Sequence, residues 1–120
     1  MKFYNTLHRN REEFIPLKNG KVSLYTCGPT VYDFAHIGNL RAFLFEDILR
    51  RYLELKGFEV LHVMNITDID DKTIRKSQEE GRSLIDFTNE YTDAFYEDLK
   101  ILNIRPATHY PRATQFVPQM

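Results

Sequence analysis

The sequence has a single cysteine, Cys27, and no tryptophan among its 120 residues. One cysteine cannot form a disulfide within the chain, which indicates a reducing compartment and favours a cytoplasmic protein. No stretch approaches the roughly 18 consecutive apolar residues of a membrane span, and the first six residues lack the features of a signal peptide. The sequence also lacks a basic excess, since 16 Lys and Arg face 17 Asp and Glu. A domain that holds nucleic acid by bulk positive charge is therefore excluded.

The residues that are abundant indicate a folded globular chain. Hydrophobic residues make up 42% and charged residues 28% of the sequence, and it contains 9 Phe, 7 Tyr, 5 Gly and 5 Pro. This composition excludes disordered, collagen-like and coiled-coil chains, because it can bury an apolar core and has no fibrous repeat. A chain of this length is expected to form no more than one domain.

The N-terminal part is predicted to be extended and to contain a β-hairpin. Two apolar stretches, 14–17 and 22–26, flank Asn19-Gly20, and Asn-Gly between such stretches is typical of a tight hairpin turn. Pro16 lacks a backbone N–H, so the first of these strands is expected at a sheet edge.

A βαβ unit is predicted next. Apolar residues recur about every four positions over 39–56, which indicates an amphipathic helix with Asn39 as its N-cap and Gly57 just after its end. The nearly continuous apolar stretch 58–64 is typical of a buried parallel strand, which would pair with strand 22–27. The helix face predicted to be buried consists of Leu40, Leu44, Ile48 and Tyr52, with Phe45, Leu49 and Leu53 beside them. The opposite face carries Asp47, Arg50, Arg51 and Glu54. The unit predicts an α/β fold.

Two further helices are predicted after the second strand. One spans about 70–80 and ends before Gly81. The other begins at Ser83, with Asp86 three residues later in the pattern of a capping box, and ends at Pro106.

The last residues are typical of a helix that has only begun. Thr114 suits its cap, and Phe116 would start its apolar face. Because a natural domain seldom ends one turn into an amphipathic helix, we expect the 120 residues to be an incomplete piece of a larger domain. Residues from about 106 to 120 are then expected to begin a connecting or inserted segment.

The segment between the first parallel strand and its helix is a candidate ligand site. In open α/β sheets, ligands bind beyond the carboxyl ends of the strands, near helix N-termini. Gly28 and Gly38 allow the backbone to approach a ligand closely, and His36 lies just ahead of a helix end that attracts phosphate. The glycine spacing matches neither the dinucleotide-binding fingerprint nor the Walker loop. The residues alone therefore predict a phosphate site of another kind.

Three motifs make the sequence similar to a known family. They are Tyr25-Thr26-Cys27-Gly28-Pro29-Thr30-Val31-Tyr32, His36-Ile37-Gly38-Asn39 and Asn65-Ile66-Thr67-Asp68-Ile69-Asp70-Asp71-Lys72. In this order and spacing they resemble the N-terminal part of the cysteinyl-tRNA synthetases, which are class I aminoacyl-tRNA synthetases. The resemblance covers nearly the whole chain. It implies an incomplete Rossmann-type catalytic domain with a parallel sheet and flanking helices, and a complete enzyme that activates L-cysteine with ATP and transfers it to tRNA(Cys).

The resemblance also implies which residues bind ATP, together with Mg²⁺. Pro29, His36, Gly38 and Asn39 match ATP-binding positions, and His36 and Asn39 match those that stabilise the pentacoordinate α-phosphate. Asn39 stands where the family more often has the second histidine of its His-Ile-Gly-His signature. Its amide can donate a hydrogen bond to phosphate but cannot carry a charge. The structural alternatives are a histidine that only precedes a helix and an asparagine that only caps it.

Cysteine and zinc binding follow from the same resemblance. Cys27 matches a ligand of the zinc ion that holds the substrate thiolate, and Gly28 and Thr67 match positions near the bound cysteine. Serine's hydroxyl is a poor zinc ligand, so no editing step would be needed. The other zinc ligands are expected beyond residue 120. Without the resemblance, a small buried cysteine at a strand end is the commoner role.

Asp68, Asp70 and Asp71 are better explained as acids that favour a helix N-terminus than as a magnesium site. Arg75-Lys76-Ser77 resembles the second ATP signature of class I synthetases only superficially, because that signature lies far downstream. Two functional alternatives stay open. One is a cysteine ligase of thiol-cofactor synthesis with the same fold, and the other is a stand-alone, non-catalytic nucleotide-binding module. By itself the 120-residue chain is expected to be inactive.

Overall fold

The computed structural model describes residues 1–119. Two strands form at the N-terminus, a strand–helix–strand unit follows, and helices make up most of the remainder. The elements are β1 (Lys2–Asn5), β2 (Asn10–Glu13), β3 (Lys21–Thr26), α1 (Ile37–Leu55), β4 (Glu59–Met64), α2 (Asp71–Glu79), α3 (Leu84–Ile101), α4 (Ala113–Phe116) and a final 3₁₀ turn, Val117–Gln119.

The N-terminal hairpin exists, but its predicted position is wrong. It is formed by β1 and β2, which pair antiparallel, whereas residues 14–16 are irregular. Asn19-Gly20 does make a turn, with a single bridge between Lys18 and Lys21. Of the apolar residues before this turn, Phe14 packs instead of pairing: its ring stacks edge-on against Phe3 and Phe58, at centroid distances of 5.4 and 6.0 Å. Ile15 and Leu17 are exposed.

The βαβ unit is confirmed. β3 and β4 pair parallel, in register from Lys21 opposite Glu59 to Thr26 opposite Met64. Helix α1 connects them and ends before Gly57, whose φ of +88° suits a glycine at this position.

After α3 the chain returns to the other edge of β4. The His109 carbonyl accepts the Met64 N–H at 3.0 Å, and the Pro111 carbonyl accepts the Ile66 N–H at 2.8 Å. An irregular third segment therefore extends the parallel arrangement. In the core beside it, buried apolar side chains from α1, β4, α3 and this segment pack together: Phe43, Met64, Phe95, Leu99, Ile104 and Ala107.

The predicted buried face of α1 is partly wrong. The helix buries Phe43, Asp47 and Leu53, whereas Ile48 is 63% exposed and Tyr52 is 41% exposed. Asp47 is buried because its carboxylate has two partners, the Arg51 side chain at 2.7 Å and the backbone N–H of Arg105 at 3.1 Å. A carboxylate that is paired and hydrogen-bonded can be buried in the protein interior. The helix therefore buries a different face from the one predicted.

The ends of the later helices follow their capping residues. Asp70 caps α2. Ser83 caps α3 by accepting the Asp86 N–H at 3.1 Å, as predicted. The predicted capping box is not completed, because the Asp86 carboxylate accepts from the Ser83 hydroxyl at 2.7 Å and not from the Ser83 N–H. Helix α3 ends at Ile101 and not at Pro106, because Asn103 adopts a left-handed conformation with φ of +55°.

Thr114 does not cap the last short helix. It is the second residue of α4, which begins after Arg112, and its side chain is instead bonded to Asp68. Across residues 1–119, every helix is too short or too polar to cross a lipid bilayer.

A small polar cluster is buried behind the strand ends. His62 Nε2 lies 2.9 Å from the Thr26 hydroxyl oxygen, while His62 Nδ1 and Glu46 Oε2 are buried without hydrogen-bond partners among residues 1–119. Burial lowers the pKa of His62, the positive charge of Arg50 lowers it further, and Asp47 opposes the shift. Burial raises the pKa of Glu46, and the neighbouring Thr26 hydroxyl opposes that shift. The His62 ring is therefore neutral at pH 7.

Replacing Asp47 by alanine is expected to lower the free energy of unfolding by about 1–3 kcal/mol, because the Arg105 N–H and the Arg51 side chain both lose their acceptor. Glu97→Ala is the control, since Glu97 pairs with Lys100 between exposed side chains and should change stability by less than about 0.5 kcal/mol. Urea unfolding at pH 7 measures both. If both variants lost the same free energy of unfolding, the stabilising role of the buried Asp47 carboxylate would be contradicted.

The buried neutral histidine predicts a loss of stability in acid. As pH falls below about 6.5, the unfolded chain binds a proton at His62 while the folded chain resists it, so the free energy of unfolding decreases. Urea unfolding between pH 7.5 and 5.0 should therefore show a steeper loss for the wild type than for His62→Gln. Glu46 titrates in both proteins, so their difference isolates His62. If the free energy of unfolding fell with pH equally in the wild type and in His62→Gln, a lowered pKa of His62 would be contradicted.

Candidate functional site

The carboxyl ends of β3 and β4 lie side by side, because Thr26 pairs with Met64 at the end of the parallel register. The loops that follow stay connected through their backbones. The Val31 N–H donates to the Thr67 carbonyl at 3.1 Å, and the Thr67 N–H donates to the Pro29 carbonyl at 3.0 Å. The predicted ATP-binding and cysteine-binding loops are therefore adjacent.

Gly28 lies where these two loops come closest. A Cβ atom at this position would lie 1.8 Å from the Asn65 carbonyl oxygen and 2.8 Å from Met64 Cγ. Because the first obstacle is backbone, a side chain here would force the loops apart. Glycine is thus required by the fold, apart from any contact that it makes with a ligand.

His36, and not Asn39 as predicted, is the N-cap of α1. His36 Nδ1 accepts the Gly38 N–H at 3.0 Å, and Asn39 Oδ1 accepts the His36 N–H at 3.2 Å. This reciprocal arrangement is a capping box, in which Asn39 lies one turn inside the helix and bonds back to the cap. The prediction placed the helix start too late because the histidine side chain performs the capping.

The capping box determines which atoms of both side chains remain free to donate. A backbone N–H can only donate, so His36 Nδ1 is an acceptor and the neutral ring carries its hydrogen on Nε2. Asn39 Oδ1 is likewise an acceptor, and its Nδ2 has no partner among residues 1–119. Two unused donors therefore lie on exposed side chains at the positive end of the α1 dipole, where negative charge is stabilised.

A cleft of about 530 Å³ opens beside the capping box. Its wall is the loop 28–36, completed by Asn39, Lys72, Tyr91 and Phe95. The structure thus brings Gly28, Pro29, His36 and Asn39 to one cleft. Cys27, Gly38 and Thr67 belong to the adjoining loops and the helix start but do not line it.

Two lysines beside this cleft were assigned no role from the sequence. The ammonium groups of Lys72 and Lys76 lie 5.0 and 5.1 Å from the centre of the Tyr32 ring. Lys76 also bonds Asp33 at 2.8 Å, and this hydrogen bond lowers the pKa of the Asp33 carboxyl. Lys72 has no carboxylate partner in the described part of the chain, which makes it an available cation at the cleft.

Cys27 follows β3 directly and its thiol is exposed. Its Sγ lies 3.8 Å from the Gly28 carbonyl oxygen. Among residues 1–119, no three His, Cys, Asp or Glu side chains are close enough together to hold a metal ion. The thiol is a soft donor that suits zinc, but it is one donor where a tetrahedral site needs four.

The acids after β4 serve helix N-termini, as the sequence analysis favoured. Asp70 Oδ1 accepts the Thr73 N–H at 2.8 Å, and Asp71 lies in the first turn of α2. Asp68 is 3% exposed and holds the start of α4, accepting the Thr114 N–H at 2.9 Å and the Thr114 hydroxyl at 2.6 Å. The carboxylates of Asp68 and Asp70 therefore accept hydrogen bonds at the starts of α4 and α2.

Comparisons with known proteins match the chain over all or nearly all of its length. The model of the family described as tRNA synthetases class I (C) catalytic domain matches residues 13–120. The chain is 56% identical over 120 residues to a cysteine–tRNA ligase of Methanosarcina mazei and 52% identical over 120 residues to one of Protochlamydia amoebophila. A cysteine–tRNA ligase of Leptospira interrogans serovar Lai is 54% identical over the same length. The whole chain is covered each time, and it spans about a quarter of each relative.

The close approach at Gly28 predicts a difference between two glycine substitutions. Gly28→Ala should lower the free energy of unfolding by about 1–3 kcal/mol, because the added methyl group meets backbone. At Gly38 the obstacle is the His36 ring, 2.7 Å from the added Cβ, which can rotate away at the cost of its capping hydrogen bond, about 1 kcal/mol. Alanine also gains up to about 1 kcal/mol of helix propensity there, so Gly38→Ala should stay within about 1 kcal/mol of the wild type. Urea unfolding that ranked the two variants in the opposite order would contradict the packing at Gly28.

Proposed function

Because the chain belongs to the family of tRNA synthetases class I (C) catalytic domains, we propose that it works as part of a cysteine–tRNA ligase. The complete protein would activate L-cysteine with ATP and transfer it to tRNA(Cys). The observation that carries this proposal is the juxtaposition of two groups of residues at neighbouring strand ends. The capping box of His36 and Asn39 suits a phosphate, and Cys27, Gly28 and Thr67 adjoin it at the ends of β3 and β4.

Activation of cysteine requires attack of its carboxylate oxygen on the α-phosphorus of ATP. One P–O bond forms, the bond to the bridging oxygen of the β-phosphate breaks, and pyrophosphate leaves. Negative charge grows on the non-bridging oxygens of the α-phosphate at the transition state. We propose that His36 Nε2–H and Asn39 Nδ2–H donate to these oxygens at the positive end of the α1 dipole. Pro29 and Gly38 would shape the same ATP site.

Both donors are already oriented before a ligand binds. The Gly38 N–H holds the His36 ring, and the His36 N–H holds the Asn39 amide. Donors that need no reorganisation during the reaction lower its barrier most effectively. An asparagine in place of the second histidine also keeps its hydrogen-bond donor at any pH between 5 and 9, since an amide does not titrate there.

Zinc is proposed to select the amino acid. When bound, it would supply a soft Lewis acid that takes the thiolate of cysteine in preference to the hydroxyl of serine. Cys27 would be one of its ligands, because its thiol is exposed at the end of β3, next to the Gly28 backbone. Gly28 and Thr67 would lie beside the substrate. Mg²⁺ is proposed to arrive with the ATP phosphates, since Asp68 and Asp70 have other partners.

The cysteine ligase of thiol-cofactor synthesis and the non-catalytic nucleotide-binding module are the alternatives. The names of the relatives favour the tRNA ligase, at 52% identity and above over the whole chain. We propose that residues 1–120 are the N-terminal portion of the catalytic domain, that about 106–120 begins a connecting segment, and that the protein is cytoplasmic. With one zinc donor and one ATP-binding loop, residues 1–120 are expected to be inactive alone.

Cysteine-dependent ATP–pyrophosphate exchange tests the proposed activity. Protein expressed from the complete reading frame should catalyse exchange with cysteine and not with serine. His36→Ala should lower kcat by about 10²–10³, the cost of removing one transition-state donor. Glu97→Ala, an exposed change on α3, is the control and should leave the rate unaltered.

Transfer of labelled cysteine to tRNA(Cys), compared with transfer to an amino sugar, separates the two ligase hypotheses. Exchange that is absent in the wild type would refute the ligase proposal. ATP binding without exchange would favour the non-catalytic module. Exchange by residues 1–120 alone, at the rate of the complete protein, would refute the expected inactivity of this piece.

A further inference from the structure

Asn65, the first residue after β4, lies between the two loops of the site. Its Oδ1 accepts the Gly28 N–H at 3.2 Å and the Tyr25 hydroxyl at 2.9 Å, and its Nδ2 lies 3.1 Å from the Thr67 hydroxyl oxygen. One side chain therefore connects the end of β3, the loop after it and the loop after β4. We propose that Asn65 is a positioning residue that holds Gly28 and Thr67 for binding of the amino acid, an inference that rests on the proposed function.

The orientation of the Asn65 amide follows from its partners. The Gly28 backbone N–H can only donate, so the atom that faces it is the amide oxygen. The amide nitrogen then faces Thr67, whose oxygen accepts a hydrogen bond from Nδ2. No other orientation satisfies both contacts.

This orientation determines what Thr67 can offer a ligand. Because its oxygen accepts from Asn65, the Thr67 hydroxyl hydrogen is free, and it has no acceptor among residues 1–119. Thr67 therefore presents a donor. The Thr67 oxygen also keeps a second lone pair, so the free hydrogen is the feature of this hydroxyl that depends on Asn65. We infer that Asn65 orients this donor for the bound cysteine.

Backbone packing limits the alternatives at this position. Gly28 already touches the Asn65 carbonyl oxygen so closely that no Cβ fits between them. The loops are thus held by backbone contact on one side and by the Asn65 amide on the other. A shorter side chain would reach neither partner, and an apolar one would leave the Gly28 N–H without an acceptor.

Two substitutions separate the functions of the amide. Asn65→Asp has nearly the same shape and retains the acceptor for Gly28 and Tyr25, but its second oxygen makes the Thr67 hydroxyl turn and donate to it. Thr67 would then present an acceptor to the ligand, next to a new negative charge. Asn65→Leu removes all three hydrogen bonds. Tyr25→Phe is the matched control, because it removes only the contact with the 66% exposed Tyr25 ring.

The experiment measures cysteine-dependent ATP–pyrophosphate exchange by the complete protein and its three variants. Asn65→Asp and Asn65→Leu should each raise the KM for cysteine at least tenfold while the KM for ATP changes less than about twofold. Tyr25→Phe should change both values less than about twofold. If Asn65→Asp leaves the KM for cysteine within twofold of the wild type, or raises both KM values equally, the positioning role of Asn65 is overturned.

Amide hydrogen exchange provides a readout that does not depend on activity. In Asn65→Leu, the amide of Gly28 should exchange at least tenfold faster, while amides within α3 keep their wild-type rates. If the Gly28 amide hydrogen exchanges in Asn65→Leu at the wild-type rate, the positioning role is overturned. It is also overturned if all amide hydrogens of the chain exchange faster by the same factor. If the wild type shows no ATP–pyrophosphate exchange, the proposed function is overturned. The comparison of amide hydrogen exchange would still decide whether Asn65 holds the loops.

Discussion

The parallel pairing of β3 with β4 is the interaction on which the rest of the structure depends. Its register ends with Thr26 opposite Met64, and this places the two following loops side by side. A slip of one residue would turn every side chain of a strand to the opposite face of the sheet and separate the loops. The contact of Gly28 with the backbone of Asn65 leaves no room for such a slip, because even a methyl group does not fit there.

Helix α1 connects the stability of the fold to the chemistry of the site. Its first residues are held by the box of His36 and Asn39, and its middle is held by the buried carboxylate of Asp47. Both arrangements satisfy backbone N–H groups that would otherwise lack acceptors. The same geometry leaves donors on His36 and Asn39 for a phosphate. The same hydrogen bonds of His36 and Asn39 thus stabilise the start of the helix and preorganise an anion site.

Several helix ends could be predicted because they depend on residues close together in sequence. Ser83 and Gly57 determine helix ends through their own hydrogen bonds or backbone conformation. The position of the hairpin could not be predicted, since Phe14 is taken up by packing against Phe3 and Phe58. The buried face of α1 was missed for a similar reason, because Asp47 finds one of its partners 58 residues away.

The sequence by itself determined the family, the βαβ unit and the residues that match its motifs, including Cys27, His36 and Thr67, because motif residues and local capping signals are visible along the chain. Only the tertiary structure decided that His36 is the cap and that Asn65 joins Gly28 to Thr67. The cap depends on the side-chain conformation of His36, whose Nδ1 turns back to the Gly38 N–H two residues away. The link made by Asn65 depends on the parallel pairing of two strands, which brings Gly28 within hydrogen-bonding range across 37 residues.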